Sequence, residues 1–507
     1  METVVNKFIN GIDECVDDSL RGLVLGDSNL RFHPQNPRVI LRHDLDDLKR
    51  RGIVGLISLG GSGHEPAFAG FVGSNALTAS VSGALFAAPP PAHIADALVA
   101  CYSNAGTIVI LNNYTGDRLN LGIGLERFRT LHAPEKRDNL AVEMIFVDDD
   151  VALEEENEKR NSQLGARGLA GCAVVLHCAG VWAEQEQWSY DRLLQELRHL
   201  ISNTATIGIS LGPCALPGHG RLFEMPNNEV EIGLGIHGEK GVERRGYEPI
   251  RELVDVVMQR LIDCQRLSVL DDSTPLVLLL NNLGTCTQLE MLIIQGELIQ
   301  WLQKRGFNVA RLLSGTLVSS LDGHGFSVTI IKCTEPYWLH AIDAKSIISS
   351  QWKSTRPFVL HDNPNVISPS APPVQQLHVP VEQLGVQVSI ACAHTIRASL
   401  IKACERVIEY EESSNNAIEG KTLASSAQHI ISFAQDGKFN FARPAAFCLE
   451  LAALLEQTAG GTQGSAYSQF FIAASNAFSD TFDDHHLRKA LNYGYQAIQR
   501  AVSTTPQ

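Results

Sequence analysis

The sequence has no long apolar run, no cluster of basic residues and no paired cysteine motif, and each absence excludes a class of protein. No stretch approaches the ~20 apolar residues that a membrane-spanning helix needs. Lys and Arg are scattered and the formal net charge is -15 at pH 7, whereas nucleic-acid binding needs clustered cations. Met1 to Asn6 contain no basic segment followed by an apolar run, as a secretory signal would. We therefore expect a cytoplasmic protein with no membrane or nucleic-acid partner.

The cysteines do not follow the spacing of a disulfide framework or of a zinc-binding motif. There are eleven, an odd number, scattered from Cys15 to Cys448, and none forms a C-x-x-C pair. This pattern is typical of reduced, mostly buried thiols.

Length and composition indicate an ordinary globular protein with two or three domains. The chain has 507 residues, of which 44% are hydrophobic and 19% charged, and one compact core does not grow to that size. From Gly52 onward, short apolar runs that end in glycine alternate with helical stretches such as 94–102. The predicted strands are 53–57, 107–111, 144–147, 173–176, 206–210, 276–280 and 326–331. This alternation predicts an α/β domain over 1–352, with mostly parallel or mixed sheets covered by helices, after an N-terminal helix at 5–25.

The pattern changes after Trp352. Residues 353–383 are rich in proline, serine and asparagine, which predicts an interdomain linker. Residues 384–507 have helical spacing and predict an all-helical domain. Its predicted helices are 386–411, 422–435, 444–457, 467–478 and 487–502.

The most informative stretch is E-I-G-L-G-I-H-G-E-K-G at 231–241, which places His237 among four glycines. Such a backbone can approach a small ligand closely, and a neutral imidazole can act as a base, a metal ligand or a nucleophile. Glu231 and Glu239 are placed to fix its tautomer or to hold a charge on it. The alternative is that His237 is a turn residue whose hydrogen bonds are satisfied locally.

Two further glycine-rich loops follow predicted strands. G-G-S-G-H-E-P at 60–66 contains His64, and N-N-Y-T-G-D-R-L-N at 112–120 contains Asp117. The carboxyl ends of parallel strands open to one side of a sheet, so we expect His64, Asp117 and His237 to face one pocket. The alternatives are that His64 caps a helix and that Asp117 stabilises its own turn. For the carboxylates of Asp148 to Asp150, a structural or capping role is favoured over metal binding.

These loops, together with V-D-D-D-V-A (147–152), N-N-L-G (281–284), T-L-V-S-S-L-D (316–322) and G-F-S-V-T (325–329), resemble the dihydroxyacetone kinase family. The resemblance covers nearly the whole chain and follows the single-chain eukaryotic type, which is triokinase/FMN cyclase-like. It implies a kinase that phosphorylates dihydroxyacetone or glyceraldehyde with ATP and Mg²⁺, and whose substrate domains pair as a homodimer.

The resemblance also implies residue roles. His237 matches the histidine to which the family binds its ketone covalently as a hemiaminal. His64 and Asp117 match the residues that bind substrate hydroxyls and transfer the proton. Gly61, Ser62 and Gly63 match backbone contacts to the substrate. Asn112 stands in the substrate site where the family has a lysine, which implies weaker ketone affinity. Leu59 and Lys240 also depart from the family motifs, where a glycine and a proline are expected.

The nucleotide domain departs further. The family binds two Mg²⁺ ions through three aspartates in a loop D-x-x-x-x-G-D-G-D-x-G, and Glu411, Asn416 and Ile418 occupy these positions here. Only Glu411 remains as a possible metal ligand in this register, unless Glu412 or Glu419 substitutes after a shift. The phosphate-side segment A-G-G-T-Q-G-S-A-Y is retained, with Gly460, Gly461, Thr462 and Gly464 as nucleotide-binding candidates.

Two functions are consistent with this sequence. The chain is either a triose kinase with an eroded nucleotide site, or a catalytically silent homologue that acts as a carbonyl-ligand sensor or as a partner of an active paralogue. FMN cyclase activity, which the animal members imply, depends on the same metal loop.

Overall fold

The computed structural model describes residues 4–132, 140–154, 166–267, 273–355, 385–413, 419–458 and 461–502. The chain divides into two compact units, Met1–Asp362 and Asn363–Gln507. The predicted linker at 353–383 falls almost entirely on residues 356–384, outside the described ranges.

The first unit contains two mixed sheets. The first sheet consists of β1 (Leu30–His33), β2 (Asn36–Arg42), β3 (Gly55–Ser62), β4 (Ala79–Leu85), β5 (Thr107–Asn112) and β6 (Val142–Val147). Its strand order is β1-β2-β4-β3-β5-β6. Neighbouring strands from β4 to β6 are parallel, whereas β2 pairs antiparallel with β4 and β1 pairs antiparallel with β2.

The second sheet is mostly antiparallel. It consists of β7 (Thr204–Gly212), β8 (Glu229–Ile232), β9 (Glu243–Gly246), β10 (Leu276–Asn282), β11 (Val309–Gly315), β12 (His324–Lys332) and β13 (Trp352–Thr355). The order is β13-β11-β10-β12-β7-β8-β9, in which β10 and β11 pair in parallel. Strand β13 continues three residues past Trp352, so the sheet includes the first residues of the predicted linker.

Helices cover both sheets. Within the described part of the first unit the α-helices are α1 (Cys15–Gly26), α2 (Leu45–Arg50), α3 (Pro91–Cys101), α4 (Thr115–His132), α5 (Gly171–Gly180), α6 (Tyr190–Ser202), α7 (Ile250–Asp263), α8 (Gln288–Lys304) and α9 (Pro336–Asp343). In β3, Leu56 and Ile57 are each 1% exposed and belong to separate apolar clusters on opposite faces of the sheet. Burial on both faces explains why these strands are nearly continuous apolar runs.

The second unit is helical, as predicted. Its described helices are α10 (Ile390–Ser413), α11 (Glu419–Gln435), α12 (Pro444–Thr458), α13 (Gly461–Ser475) and α14 (Asp484–Val502). They share one apolar core, in which Ala434 is fully buried and Leu451 and Leu454 are each 2% exposed. No helix in the described ranges combines the length and apolar character that a membrane span requires.

Two element predictions were wrong. The predicted strand at 173–176 lies inside α5, in which all ten residues are buried. A helix that is buried on every side has no polar face, so a short apolar run from it cannot be distinguished from a buried strand. The predicted helix at 5–25 begins only at Cys15.

All eleven cysteines are free, and nine of them are buried.

Candidate active site

The loop that follows β3 places His64 at the carboxyl end of the parallel strands. Gly63 has a φ of +104°, which side chains rarely allow, and a Cβ there would lie 2.7 Å from the Phe86 ring. Phe86 stacks on His64 with a centroid distance of 5.0 Å. The glycine therefore lets the backbone turn and brings the imidazole against an apolar wall.

The His64 ring is held in one tautomer. Its Nδ1 donates to the carbonyl oxygen of Ser319 at 2.9 Å, which leaves the lone pair of Nε2 unprotonated. Burial, together with the nearby His237, lowers the pKa of His64 to about 3. His64 is therefore neutral, and its Nε2 can accept a hydrogen bond from a hydroxyl group.

His237 comes from the second sheet, on the loop between β8 and β9. Its Nδ1 lies 3.0 Å from Glu239 Oε1, and its backbone N–H donates to Glu239 Oε2. Burial favours the neutral form of Glu239, but the hydrogen bond from His237 and nearby positive charge outweigh it and lower the Glu239 pKa to about 2. A carboxylate fixes the proton on Nδ1 and leaves the Nε2 lone pair free.

Arg167 is a charged residue close enough to Glu239 to affect its pKa. Arg167 donates to the buried Asp150 at 2.7 Å and to the carbonyl oxygen of Gly233 at 2.7 Å. Its charge also contributes to the lowered pKa of Glu239. Arg167 was not identified from the sequence, because it lies 70 positions from His237 and outside the three glycine-rich loops at 60–66, 112–120 and 231–241.

Asp117 lies in the first turn of α4 and is 7% exposed. Burial raises its pKa from the ordinary value of 3.8 to about 6, although the nearby His237 opposes this effect. A carboxyl group with such a pKa can exchange a proton near neutral pH.

Three aromatic groups surround the His237 ring. Its centroid lies 4.7 Å from that of His64, 4.5 Å from that of Tyr114 and 5.3 Å from that of Phe86, each in an edge-to-face arrangement. Tyr114 belongs to the N-Y-T-G-D motif, and Phe86 was not identified from the sequence. The site is therefore small, apolar at its walls and polar at a few atoms.

Several of these polar atoms are buried and have no hydrogen-bond partner among the described residues. They are His64 Nε2, Tyr114 Oη, Asp117 Oδ1 and Asn112 Nδ2. Each unpaired buried polar group costs about 1–3 kcal/mol, so a ligand that supplies hydroxyl and carbonyl groups would relieve that cost.

The second sheet also anchors the first loop. The N–H groups of Ser319 and Leu321 donate to the carbonyl oxygens of His64 and Gly63. These residues belong to the T-L-V-S-S-L-D motif, between β11 and β12. The three predicted loops do converge, but not along the edge of one parallel sheet: His64 and Asp117 follow strands of the first sheet, and His237 follows a strand of the second.

The remaining substrate-site candidates lie near this pocket. Gly61 and Ser62 end β3, and the hydroxyl of Ser62 donates to the carbonyl oxygen of Gly83. Asn112 is 4% exposed at the end of β5 and packs against Gly168, where a Cβ would lie 2.5 Å from Asn112 Oδ1. Glu231, considered as a partner of His237, instead accepts hydrogen bonds from Gly241 and Arg244.

The aspartate run at 148–150 has structural partners. Asp149 accepts from the N–H groups of Leu169 and Gly171 at the start of α5, and Asp148 pairs with Arg266 at 2.7 Å. Their oxygens are therefore engaged by protein groups.

In the helical unit, Gly461, Thr462 and Gly464 lie in the first turn of α13. A helix amino terminus presents N–H groups that bind phosphate. Gly460, Asn416, Ile418 and the side chain of Glu411 lie outside the described residues.

Comparison with known proteins gives two family matches. Residues 21–348 match the Dak1 domain and residues 419–507 match the DAK2 domain. Triokinase/FMN cyclase of Rattus norvegicus is 33% identical over 504 residues, covering 99% of this chain and 84% of the relative. The dihydroxyacetone-binding subunit DhaK of a PTS-dependent kinase from Listeria innocua is 34% identical over 340 residues, covering 66% and 96%.

Two solved structures are also similar. The dihydroxyacetone kinase from C. freundii, in complex with AMP-PNP and Mg²⁺, is 28% identical with a TM-score of 0.70, over 98% of this chain and 87% of that one. The dihydroxyacetone kinase operon co-activator Dha-DhaQ is 27% identical with a TM-score of 0.59, over 66% of this chain and 98% of that one.

Proposed function

The chain belongs to the dihydroxyacetone kinase family, and from that premise we propose that it binds dihydroxyacetone or glyceraldehyde by covalent addition to His237. One observation carries this proposal. The His237 imidazole, its Nδ1 held by Glu239, lies in the same buried pocket as a neutral His64 and a carboxyl group with a raised pKa.

The addition needs no external reagent. The Nε2 lone pair of His237 forms a bond to the carbonyl carbon, the π electrons of the C=O bond move to oxygen, and that oxygen takes a proton from solvent. The substituted ring then carries a positive charge, which the Glu239 carboxylate balances across the Nδ1–H hydrogen bond. A polyol such as glycerol has no carbonyl carbon and cannot form this bond.

His64 and Asp117 act on the hydroxyl groups of the bound sugar in this proposal. Neutral His64 accepts a hydrogen bond at Nε2, and Asp117 in its ionised form accepts the proton of the hydroxyl that becomes phosphorylated. The unpaired atoms of both residues support these roles.

We propose ATP and Mg²⁺ as the phosphoryl donor system, since the C. freundii relative is described in complex with AMP-PNP and Mg²⁺. The first turn of α13 would hold phosphate. Asn416 and Ile418 stand where the family has aspartates, and Mg²⁺ needs several hard oxygen ligands. Phosphoryl transfer by this chain alone is therefore expected to be slow or undetectable.

The same substitutions favour a second candidate, a silent homologue that binds the carbonyl ligand as a sensor or as a partner of an active paralogue. The likeness to the Dha-DhaQ co-activator adds support for such a role, because a co-activator is a regulatory protein. Both candidates use the same pocket, and we propose that the chain forms a homodimer in either case.

A ketone-soaked crystal tests the covalent step. Continuous density from His237 Nε2 to a tetrahedral carbon is the expected result. An ordered ketone beside an unmodified His237 would contradict it. An assay for phosphoryl transfer from ATP to dihydroxyacetone by the purified chain then distinguishes the kinase from the sensor.

A further inference from the structure

A thiol, an imidazole and a carboxylate meet at the amino-terminal end of α8, and none of them takes part in the proposed carbonyl chemistry. Cys286 precedes the helix, Glu290 lies in its first turn, and His324 is the first residue of β12. One ligand atom of each residue lies within 4.8 Å of those of the other two. We propose that Cys286, Glu290 and His324 bind a divalent transition-metal ion of the zinc class.

The donor set has the chemistry that zinc prefers. Zinc binds thiolate sulfur, imidazole nitrogen and carboxylate oxygen with bonds of ~2.0–2.3 Å, so tetrahedral ligand atoms lie roughly 3.4–3.6 Å apart. His324 Nε2 and Glu290 Oε1 are already 2.8 Å apart and would separate slightly. Since the sulfur lies within 4.8 Å of the other two ligand atoms, it needs to move by at most ~1.4 Å to reach these separations.

The carboxylate is held in place by the helix cap. Glu290 Oε2 accepts from the Thr287 N–H at 2.6 Å and from the Thr287 hydroxyl at 2.8 Å, within a capping box. Its Oε1 therefore points to His324 and is the oxygen that would bind the ion. Outer hydrogen bonds of this kind fix metal ligands in a productive orientation.

Binding replaces two hydrogen bonds. The Cys286 thiol donates to the carbonyl oxygen of Gly325 at 3.1 Å, and on metal binding its proton goes to solvent. The proton of His324 then resides on Nδ1, so that Nε2 is free to bind. A thiolate and a carboxylate together neutralise a divalent cation, so the 9% exposed Cys286 would not be left as an isolated buried charge.

The three residues also line one cavity of about 200 Å³, whose walls are mainly apolar and include Val230, Ile250 and Ile294. Three protein ligands leave the fourth tetrahedral position to water or to a small ligand in that cavity. The sequence predicted no zinc site because its cysteines are unpaired, and His324 lies 38 positions beyond Cys286.

Cobalt(II) titration of the full-length, chelator-treated protein tests the proposal. Tetrahedral Co²⁺ bound to a thiolate gives visible d–d bands and a sulfur-to-metal charge-transfer band. We expect both bands to saturate, and Zn²⁺ to abolish them by displacement. Cys286→Ser should remove the charge-transfer band. The substitution should also weaken Co²⁺ binding by more than ~10–100-fold. That factor is the loss of metal affinity expected when a residue that only hydrogen-bonds to a metal ligand is removed.

Matched variants separate this site from other thiols and imidazoles. Cys264→Ser removes a buried thiol from the same apolar cluster, and His219→Ala removes an exposed imidazole; both should keep the bands. His324→Ala should lose the tetrahedral d–d spectrum, and circular dichroism of each variant verifies folding. No charge-transfer band in the parent protein, or the same band in Cys286→Ser, would overturn the proposal.

Discussion

Replacing Asp117 by asparagine should stabilise the first unit more at neutral pH than at acid pH. Burial raises the pKa of Asp117 from 3.8 to about 6 in the folded protein. The folded state therefore holds this proton more tightly than the unfolded chain does. The stability that this gives is fully present below the unfolded pKa and is lost as the pH rises through about 6.

The magnitude follows from the two pKa values. A rise from 3.8 to about 6 corresponds to ~3 kcal/mol between the acid and alkaline limits, at about 1.36 kcal/mol for each pH unit. Between about pH 5 and about pH 7.5 the parent protein should lose ~1.4 kcal/mol from this one group. The amide of Asp117→Asn cannot ionise, so the variant should not lose this stability. The unfolding free energy of the variant relative to the parent should therefore rise by the same amount over this pH range.

Tryptophan fluorescence during urea unfolding provides the assay. All five tryptophans, from Trp182 to Trp352, lie in the first unit, so the signal reports on the unit that contains Asp117. The variant is compared with the parent at both pH values. Any pH-independent effect of the amide on the free energy of unfolding then cancels. Asp46→Asn, at an exposed position on α2, controls for loss of an ordinary carboxylate. A free-energy difference that is the same at both pH values would refute the reasoning.

The remaining predictions concern binding. His237→Ala should abolish ketone binding in calorimetry while circular dichroism shows an intact fold, because a loop residue contributes little to the core; unchanged affinity would count against the site. Glu239→Gln should lower ketone affinity about ten- to hundredfold, since a hydrogen bond to a charged group contributes ~1.5–3 kcal/mol. Equal affinity in this variant would show that Glu239 does not stabilise the charged His237 adduct. The double variant Asn416→Asp, Ile418→Asp should gain Mg²⁺-dependent ATP binding by calorimetry, and Ile418→Asp alone should gain less. Robust phosphorylation of dihydroxyacetone by the unmodified chain would show that this register is wrong.

The sequence was sufficient to predict the architecture class and that the loops containing His64, Asp117 and His237 lie together. Glycine-flanked His64 and His237 and the Asp117 loop carried a local signal, because a ligand-facing backbone needs glycine and a turn. The chain was also correctly predicted to change from α/β to helical. These features depend on short-range pattern, which a single sequence contains.

Features that depend on long-range packing were not predictable. The mostly antiparallel pairing around β12 and β7 is decided by strand neighbours that are far apart in sequence, so His237 was assigned to the wrong kind of sheet edge. Helix α5 resembles a strand in sequence because burial on all sides removes its polar face. Arg167 is brought near Glu239 only by the fold, and no local spacing marks an arginine that lowers the pKa of a distant carboxyl group.

The second sheet supplies both His237 and Ser319, the residue that orients His64. The distance between the two imidazoles is therefore set by strand alignment across β12, β7 and β8, in which Ser327 pairs with Gly208 and Ile209 with Ile232. A slip of one residue would move a strand by about 3.3 Å and turn its side chains to the opposite face. Evolution of this pocket can accordingly exchange residues in the loops, whereas insertions and deletions within these three strands would separate His237 from His64.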